Sequence, residues 1–199
     1  MTVGVLALQG AFRNHLETLE SVGVDAVLVN APNQLVALDA LVLPGGESTV
    51  MSKLLDSSGL RGPLVESIRE GLPVFGTCAG MILLASDVQD GTSDQKSLGV
   101  LDISVRRNGE GSQGSSHESN VRLGDSFPGG NTDFPGVFIR PPVVLEISPD
   151  VEPLGWVDYD VDDTRIVMCR QGRVMATTFH PELTNDDRIH RAFLQSLQG

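Results

Sequence analysis

Residues 73–85 read PVFGTCAGMILLA: a short apolar run, a cysteine flanked by glycines two positions away on either side, and a second apolar run. The pattern predicts a strand at Pro73–Phe75, a turn at Gly76-Thr77-Cys78-Ala79-Gly80 and a helix from about Ala79. G-x-C-x-G is the thiol counterpart of the G-x-S-x-G nucleophile elbow, in which a strained strand-to-helix turn exposes the central side chain. Cys78 would then project at a helix N-terminus, where the local positive charge favours thiolate over thiol. The N–H of Ala79 would face the same space and could bind an oxyanion. A small buried residue in a tight turn is the competing reading, and the motif alone does not separate the two.

Outward from this turn, strand-like and helical runs alternate. Val3–Leu8, Ala26–Val29 and Ala40–Leu43 read as strands, the last stopped by Pro44-Gly45-Gly46. Phe12, Leu16, Leu19 and Val22 repeat at helical spacing, and Ser48–Leu55 and Pro63–Glu70 read as helices. Near-continuous apolar strands separated by helices predict an α/β domain with an open, mostly parallel mixed sheet flanked by helices. The second half is richer in strands, with Gly99–Val105, Val137–Ile139, Arg165–Cys169 and Val174–Phe179, and closes on a helix marked by Ile189, Phe193, Leu194 and Leu197. RNGEGSQGSSHESN (107–120) and DSFPGGNTDFPG (125–136) read as long loops. No internal repeat appears, and the 199 residues are expected to form one domain over 1–199.

Composition narrows the chemistry. A formal net charge of −12 argues against nucleic-acid binding, which needs basic patches. No apolar run approaches a membrane span, and the N-terminus lacks a basic leader, so no membrane association is expected. Two cysteines imply no disulfide framework and a reducing, cytoplasmic setting. No His/Cys grouping has metal-site spacing, so neither a metal nor a cofactor is expected.

A base for Cys78 is available near the other end of the chain. Thr177-Thr178-Phe179-His180-Pro181-Glu182 closes a strand, and residues two apart in extended chain face one side, so His180 and Glu182 can share a space. A carboxylate beside an imidazole fixes its tautomer and stabilises its charged form. His180-Pro181-Glu182 alone would read as a solvated strand end; with Cys78 it forms a nucleophile, base and orienting carboxylate. The other histidines read as ordinary: His15 on the polar side of the first helix, His117 in the loop region, His190 on the last helix. Cys169, within the apolar RIVMC, reads as a core thiol.

These residues resemble the class I, triad-type glutamine amidotransferases. LALQGAF (6–12), LPGGEST (43–49), FGTCAGMILLA (75–85), VRRN (105–108), GVFIRPP (136–142) and FHPELT (179–184) resemble the PdxT/SNO family, the glutaminase subunits of pyridoxal 5′-phosphate synthase. The resemblance implies a flavodoxin-like fold, hydrolysis of L-glutamine to glutamate and ammonia, and transfer of that ammonia to a (β/α)8-barrel synthase subunit within a large hetero-oligomer. It makes Cys78 the nucleophile and His180 and Glu182 the rest of a triad. Gly46, Glu47, Ser48, Arg107, Ile139 and Arg140 match the family's glutamine-binding positions, with Gly46 and Ala79 as oxyanion donors. Arg107 offers a fork for the substrate's α-carboxylate. Gly109–Gln113 departs from the family pattern, as does Gly114–Asn120, and Gly129–Pro135 looks expanded. A cysteine stress or redox protein on a similar sheet is the competing class. It requires neither His-Pro-Glu nor GGEST.

Overall fold

The computed structural model describes residues 1–92, 94–107, 116–125, 127–128 and 130–197. Its main sheet has nine strands. In chain order they are β1 (Thr2–Leu6), β2 (Asp25–Val29), β3 (Ala40–Leu43), β4 (Val74–Thr77), then β7 (His117–Leu123), β8 (Phe134–Phe138), β10 (Glu152–Asp160), β11 (Asp163–Gln171) and β12 (Val174–Thr177). A smaller sheet joins β5 (Ala85–Gln89), β6 (Leu101–Arg106) and β9 (Val143–Ile147). The helices are α1 (Phe12–Ser21), α2 (Ser48–Ser57), α3 (Arg61–Arg69), α4 (Ala79–Leu84) and α5 (Arg188–Ser196).

The large sheet runs β2-β1-β3-β4-β12-β11-β10-β7-β8. From β2 to β12 every pairing is parallel, and from β12 to β8 every pairing is antiparallel. The central parallel strands β3, β4 and β12 are buried along their whole length, as strands covered on both faces must be. One cluster of the core packs α2, α3, α4 and the small sheet over one face. The other packs α1 and α5 around Phe75, Phe138 and Phe179. The residues singled out from the sequence at Gly46–Ser48, Cys78, His180 and Glu182 follow the carboxyl ends of β3, β4 and β12, where open α/β sheets place ligands.

The second half holds more strand than its composition suggested. β7 occupies His117–Leu123 inside the stretch read as loop, and β8 begins at Phe134. Ile139 lies just past the end of β8 rather than within it. β5, β9 and β10 carry no clean period-2 pattern because packing, not alternation, sets their burial. Ring stacking explains one difference: His117 lies flat on Phe138, centroids 4.9 Å apart, pinning β7 to β8. The departures from the family pattern at 109–113 lie outside the described residues.

Candidate active site

The site begins with the turn after β4. Cys78 has φ 49° and ψ −103°, a left-handed-side conformation that a non-glycine residue adopts only under constraint. The constraint is the close approach of α4 to the sheet. A Cβ on Gly80 would run into the Leu43 carbonyl oxygen, and one on Gly76 would collide with the Leu84 side chain. Both flanking glycines of G-x-C-x-G are therefore required by packing, and Cys78 is thrust out as the N-cap of α4.

β12 runs parallel beside β4 in register, Thr177 opposite Thr77. The chain leaving β12 thus meets the turn leaving β4. His180 is 6% exposed, and its imidazole faces the Cys78 side chain closely enough to feel it electrostatically. His180 Nδ1 donates to Glu182 Oε1 at 2.8 Å, which leaves Nε2 to receive the thiol proton. Glu182 is held in a 3-10 turn at Pro181–Leu183 and is buried. Burial pushes the His180 pKa down, but bonding to Cys78 and to Glu182 outweighs it and lifts the imidazole to about 10. Burial likewise opposes ionisation of Glu182, yet His15 and His180 hold its carboxyl below the usual range. Cys169 is the contrast: buried in β11 with no charge partner among the described residues, its thiol is pushed up to about 12 by burial, as a core residue's should be.

β3 lies on the other side of β4 and supplies the third wall. Gly45 packs edge-on to the imidazole; a Cβ there would overlap His180 Cε1. The neighbouring peptide is held by Gln9, whose Oε1 accepts from Glu47 N–H at 2.8 Å, while Ala11 N–H donates to Gly45 O at 2.9 Å. Glu47 caps α2, accepting from Thr49 and Val50 N–H. The Arg107 guanidinium donates to Glu47 at 2.9 Å and to Thr49 and Gln95 at 2.7 Å each. The fork expected to bind substrate is thus present in the site, held by Glu47. The Ile139 carbonyl accepts from the Cys78 thiol at 3.7 Å, and Arg140, with φ 43°, turns the chain away. One pocket of about 380 Å³, counting its open mouth, is lined by Gly46, Glu47, Ser48, Cys78, Ile82, Arg107, Ile139 and Arg140. Every glutamine-binding position implied by the resemblance lines it; Ala79 is buried beside it as the first residue of α4.

His15 contradicts its reading from sequence, and His190, on the last helix as expected, is buried beside it. His15 is not on a polar face but fully buried, 3.3 Å from Glu182 through Nε2. His190 is also fully buried, its Nε2 3.0 Å from His15 Nδ1. The signal was available in the spacing. His15 shares the i, i+3, i+4, i+7 stripe of Phe12, Leu16 and Leu19, and His190 that of Phe193, Leu194 and Leu197.

A strained cysteine at a strand-to-helix turn, paired with a histidine and glutamate from the adjacent parallel strand, places the protein among the triad amidotransferases. The model of the SNO glutamine amidotransferase family matches residues 5–198, and the chain belongs to that family. Similar proteins include "Pyridoxal 5′-phosphate synthase subunit PdxT" of Roseiflexus sp. (strain RS-1), 48% identical over 98% of this chain and 99% of that one. The protein of the same name from Acidothermus cellulolyticus is 52% identical over 96% and 91%. A crystal structure described as a glutamine amidotransferase superposes with TM-score 0.87 at 43% identity, covering 99% of both chains. A glutamine amidotransferase from Thermotoga maritima, TM-score 0.63 at 14% identity over 100% of this chain and 84% of that one, shares the fold.

Proposed function

We infer that this chain is the glutaminase subunit of a pyridoxal 5′-phosphate synthase and that the Cys78 pocket is where glutamine is hydrolysed. The observation that carries the reading is the meeting of Cys78, His180 and Glu182 at two adjacent parallel strand ends, with Cys78 opening on a pocket that Arg107 also lines. With the thiol's proton held on His180 Nε2, the sulfur attacks the γ-carboxamide carbon of glutamine. The N–H groups of Ala79 and Gly46 receive the oxyanion. The tetrahedral adduct collapses as His180 returns the proton to the leaving nitrogen, giving ammonia and a thioester on Cys78. Water, deprotonated by His180, then cleaves the thioester to glutamate and restores the thiol.

The substrate's α-carboxylate takes over the Arg107 fork, in competition with Glu47. The ammonia passes to a (β/α)8-barrel synthase subunit docked over the strand-end rim. That rim includes the Gln9-Gly10 turn, which holds the Glu47 peptide, so docking there acts directly on the oxyanion loop.

Assayed with a cognate synthase barrel, Cys78→Ala is expected to abolish ammonia release from glutamine while the fold persists, and Cys169→Ala to keep most of it. A glutamine-like electrophile should label Cys78 and spare Cys169. Wild-type rates from Cys78→Ala would refute the site.

A further inference from the structure

We infer that His15 is a positioning residue of this site: its Nε2–H holds the second carboxylate oxygen of Glu182, and His190 selects the tautomer that makes this possible. The inference rests on the triad assignment and extends it beyond Cys78, His180 and Glu182.

Glu182 presents Oε1 to His180, but Oε2 is fully buried and accepts no aligned hydrogen bond among the described residues. A buried carboxylate oxygen left so is costly, and native structures rarely tolerate one without a reason. The nearest donor is His15 Nε2, 3.3 Å away and also 3.1 Å from Thr77 Oγ1. Burial holds the pKa of His15 below its ordinary value, so it faces Glu182 as a neutral ring with one N–H.

Which nitrogen carries that proton follows from the neighbours. If Nδ1 of His15 were protonated, Thr77 Oγ1–H could donate to the bare Nε2, but that lone pair would also face a carboxylate oxygen, and His190 would have to carry its proton on Nδ1, which has no partner among the described residues. With the proton on Nε2 the pair is consistent: His190 Nε2–H donates to His15 Nδ1 at 3.0 Å, and His15 Nε2–H is shared between Thr77 and Glu182. His190 keeps a bare Nδ1, and its pKa lies near 3, pushed down first by burial, so it does not charge in the working range. Phe75 packs edge-on against both rings, at 6.3 Å from His15 and 5.7 Å from His190. The result is a buried chain in which His190 donates to His15, and His15 and His180 donate from opposite sides to Glu182. While His180 carries positive charge, Glu182 must hold that charge in place. A second donor at Oε2 fixes the carboxylate plane, and catalytic hydrogen bonds of this kind shorten once the reaction loads them.

The charged and titratable groups around Glu182 are His180 and His15, with Cys78 behind the first, His190 behind the second and Asp187 beside His190. Removing His15 takes a donor from the carboxylate, so Glu182 should protonate at higher pH. The test is steady-state glutamine hydrolysis in the assembled complex with a cognate synthase barrel, run from acid to neutral pH, with circular dichroism as the check on folding. His15→Leu should lower kcat about 10-fold, the size of a lost hydrogen bond to a charged group. KM should change less than about 2-fold, since His15 touches no substrate, and the acid limb of kcat should move up in pH. His15→Gln, whose amide nitrogen sits as many bonds from the backbone as His Nε2, should restore most of the rate and return the acid limb. A folded His15→Leu with wild-type kcat and acid limb overturns the inference, as does a folded His15→Gln no better than His15→Leu. If His15→Leu does not fold, the wild-type protein decides. Nitrogen-15 imidazole NMR on the wild type should find His15 and His190 both as Nε2–H tautomers, and an Nδ1–H tautomer at His15 overturns the inference. Cys78→Ala runs alongside: retained ammonia release there indicts the triad assignment itself, a different failure.

Discussion

Cys78 and Cys169 carry the same thiol into opposite circumstances. Cys169 is enclosed by apolar β11 neighbours and is pushed toward permanent protonation. Cys78 has an imidazole and a helix N-terminus beside it. His180 and Glu182 are likewise unequal partners. In the proposed mechanism His180 takes and returns a proton in both half-reactions, whereas Glu182 acts on the imidazole and never on substrate. His180→Asn is therefore expected to cost roughly a hundredfold more kcat than Glu182→Ala, the separation seen between base and orienting carboxylate in triad hydrolases. Single-turnover acylation rates check the order; a larger loss in Glu182→Ala would reverse the assigned roles. Cys78, His180 and Glu182 were legible because their types and spacing are unusual together. His15 and His190 were not, because a histidine at a stripe position matches an apolar face only once one knows that the face is closed.

At the scale of elements, α1 and α5 close over Phe75 from one face of the sheet, and each brings a histidine into the layer between them. The cost of this arrangement appears at low pH. Both native pKa values are depressed, His190 to about 3, whereas the unfolded chain binds protons near 6.5. Below about pH 6.5 the unfolded state therefore holds more protons than the native one, so stability is full above that pH and declines as pH falls toward 3. Each such histidine contributes a slope approaching about 1.4 kcal/mol per pH unit. His180 has the opposite sign: its raised pKa stabilises the fold below about 6.5, and that contribution is lost as pH rises through about 10. Urea unfolding of His190→Gln from pH 7 to 4 should show a shallower decline than wild type; an unchanged slope would mean that His190 titrates normally in the fold. The same elements show why β7 escaped the reading of a Gly/Ser-rich stretch: its place is set by the β10 edge and by Phe138 stacking, both distant in sequence.

For the whole molecule, the site opens on the rim where the Gln9-Gly10 turn, the loop after β3 and the end of β8 converge. Ammonia is partly protonated near neutral pH and escapes if the route is open, so productive transfer needs a partner sealed over that rim. Adding a cognate barrel should raise glutamine hydrolysis well above the isolated rate and support pyridoxal 5′-phosphate formation with little free ammonia. Arg13 is exposed on α1, and Lys53, paired with Asp94, is exposed on α2. Charge reversal at either should weaken docking more than reversal at Arg191, which pairs with Asp187 on α5. Titration calorimetry giving equal losses at all three would put the partner on another face.

The sequence by itself determined the alternation that makes an α/β sheet, the elbow at Cys78 and the identity of its histidine and glutamate partners, because each rests on local chemistry: apolar runs of fixed period, glycines at a turn, and side chains two residues apart on an extended strand. The tertiary structure decided what those local patterns leave open. It put β12 beside β4, so that Cys78 and His180, far apart in the chain, meet. It held Arg107 on Glu47, and it buried His15 and His190 behind the triad. These are contacts between elements distant in the chain, and their cause is the burial of apolar faces against one another, which no single segment carries.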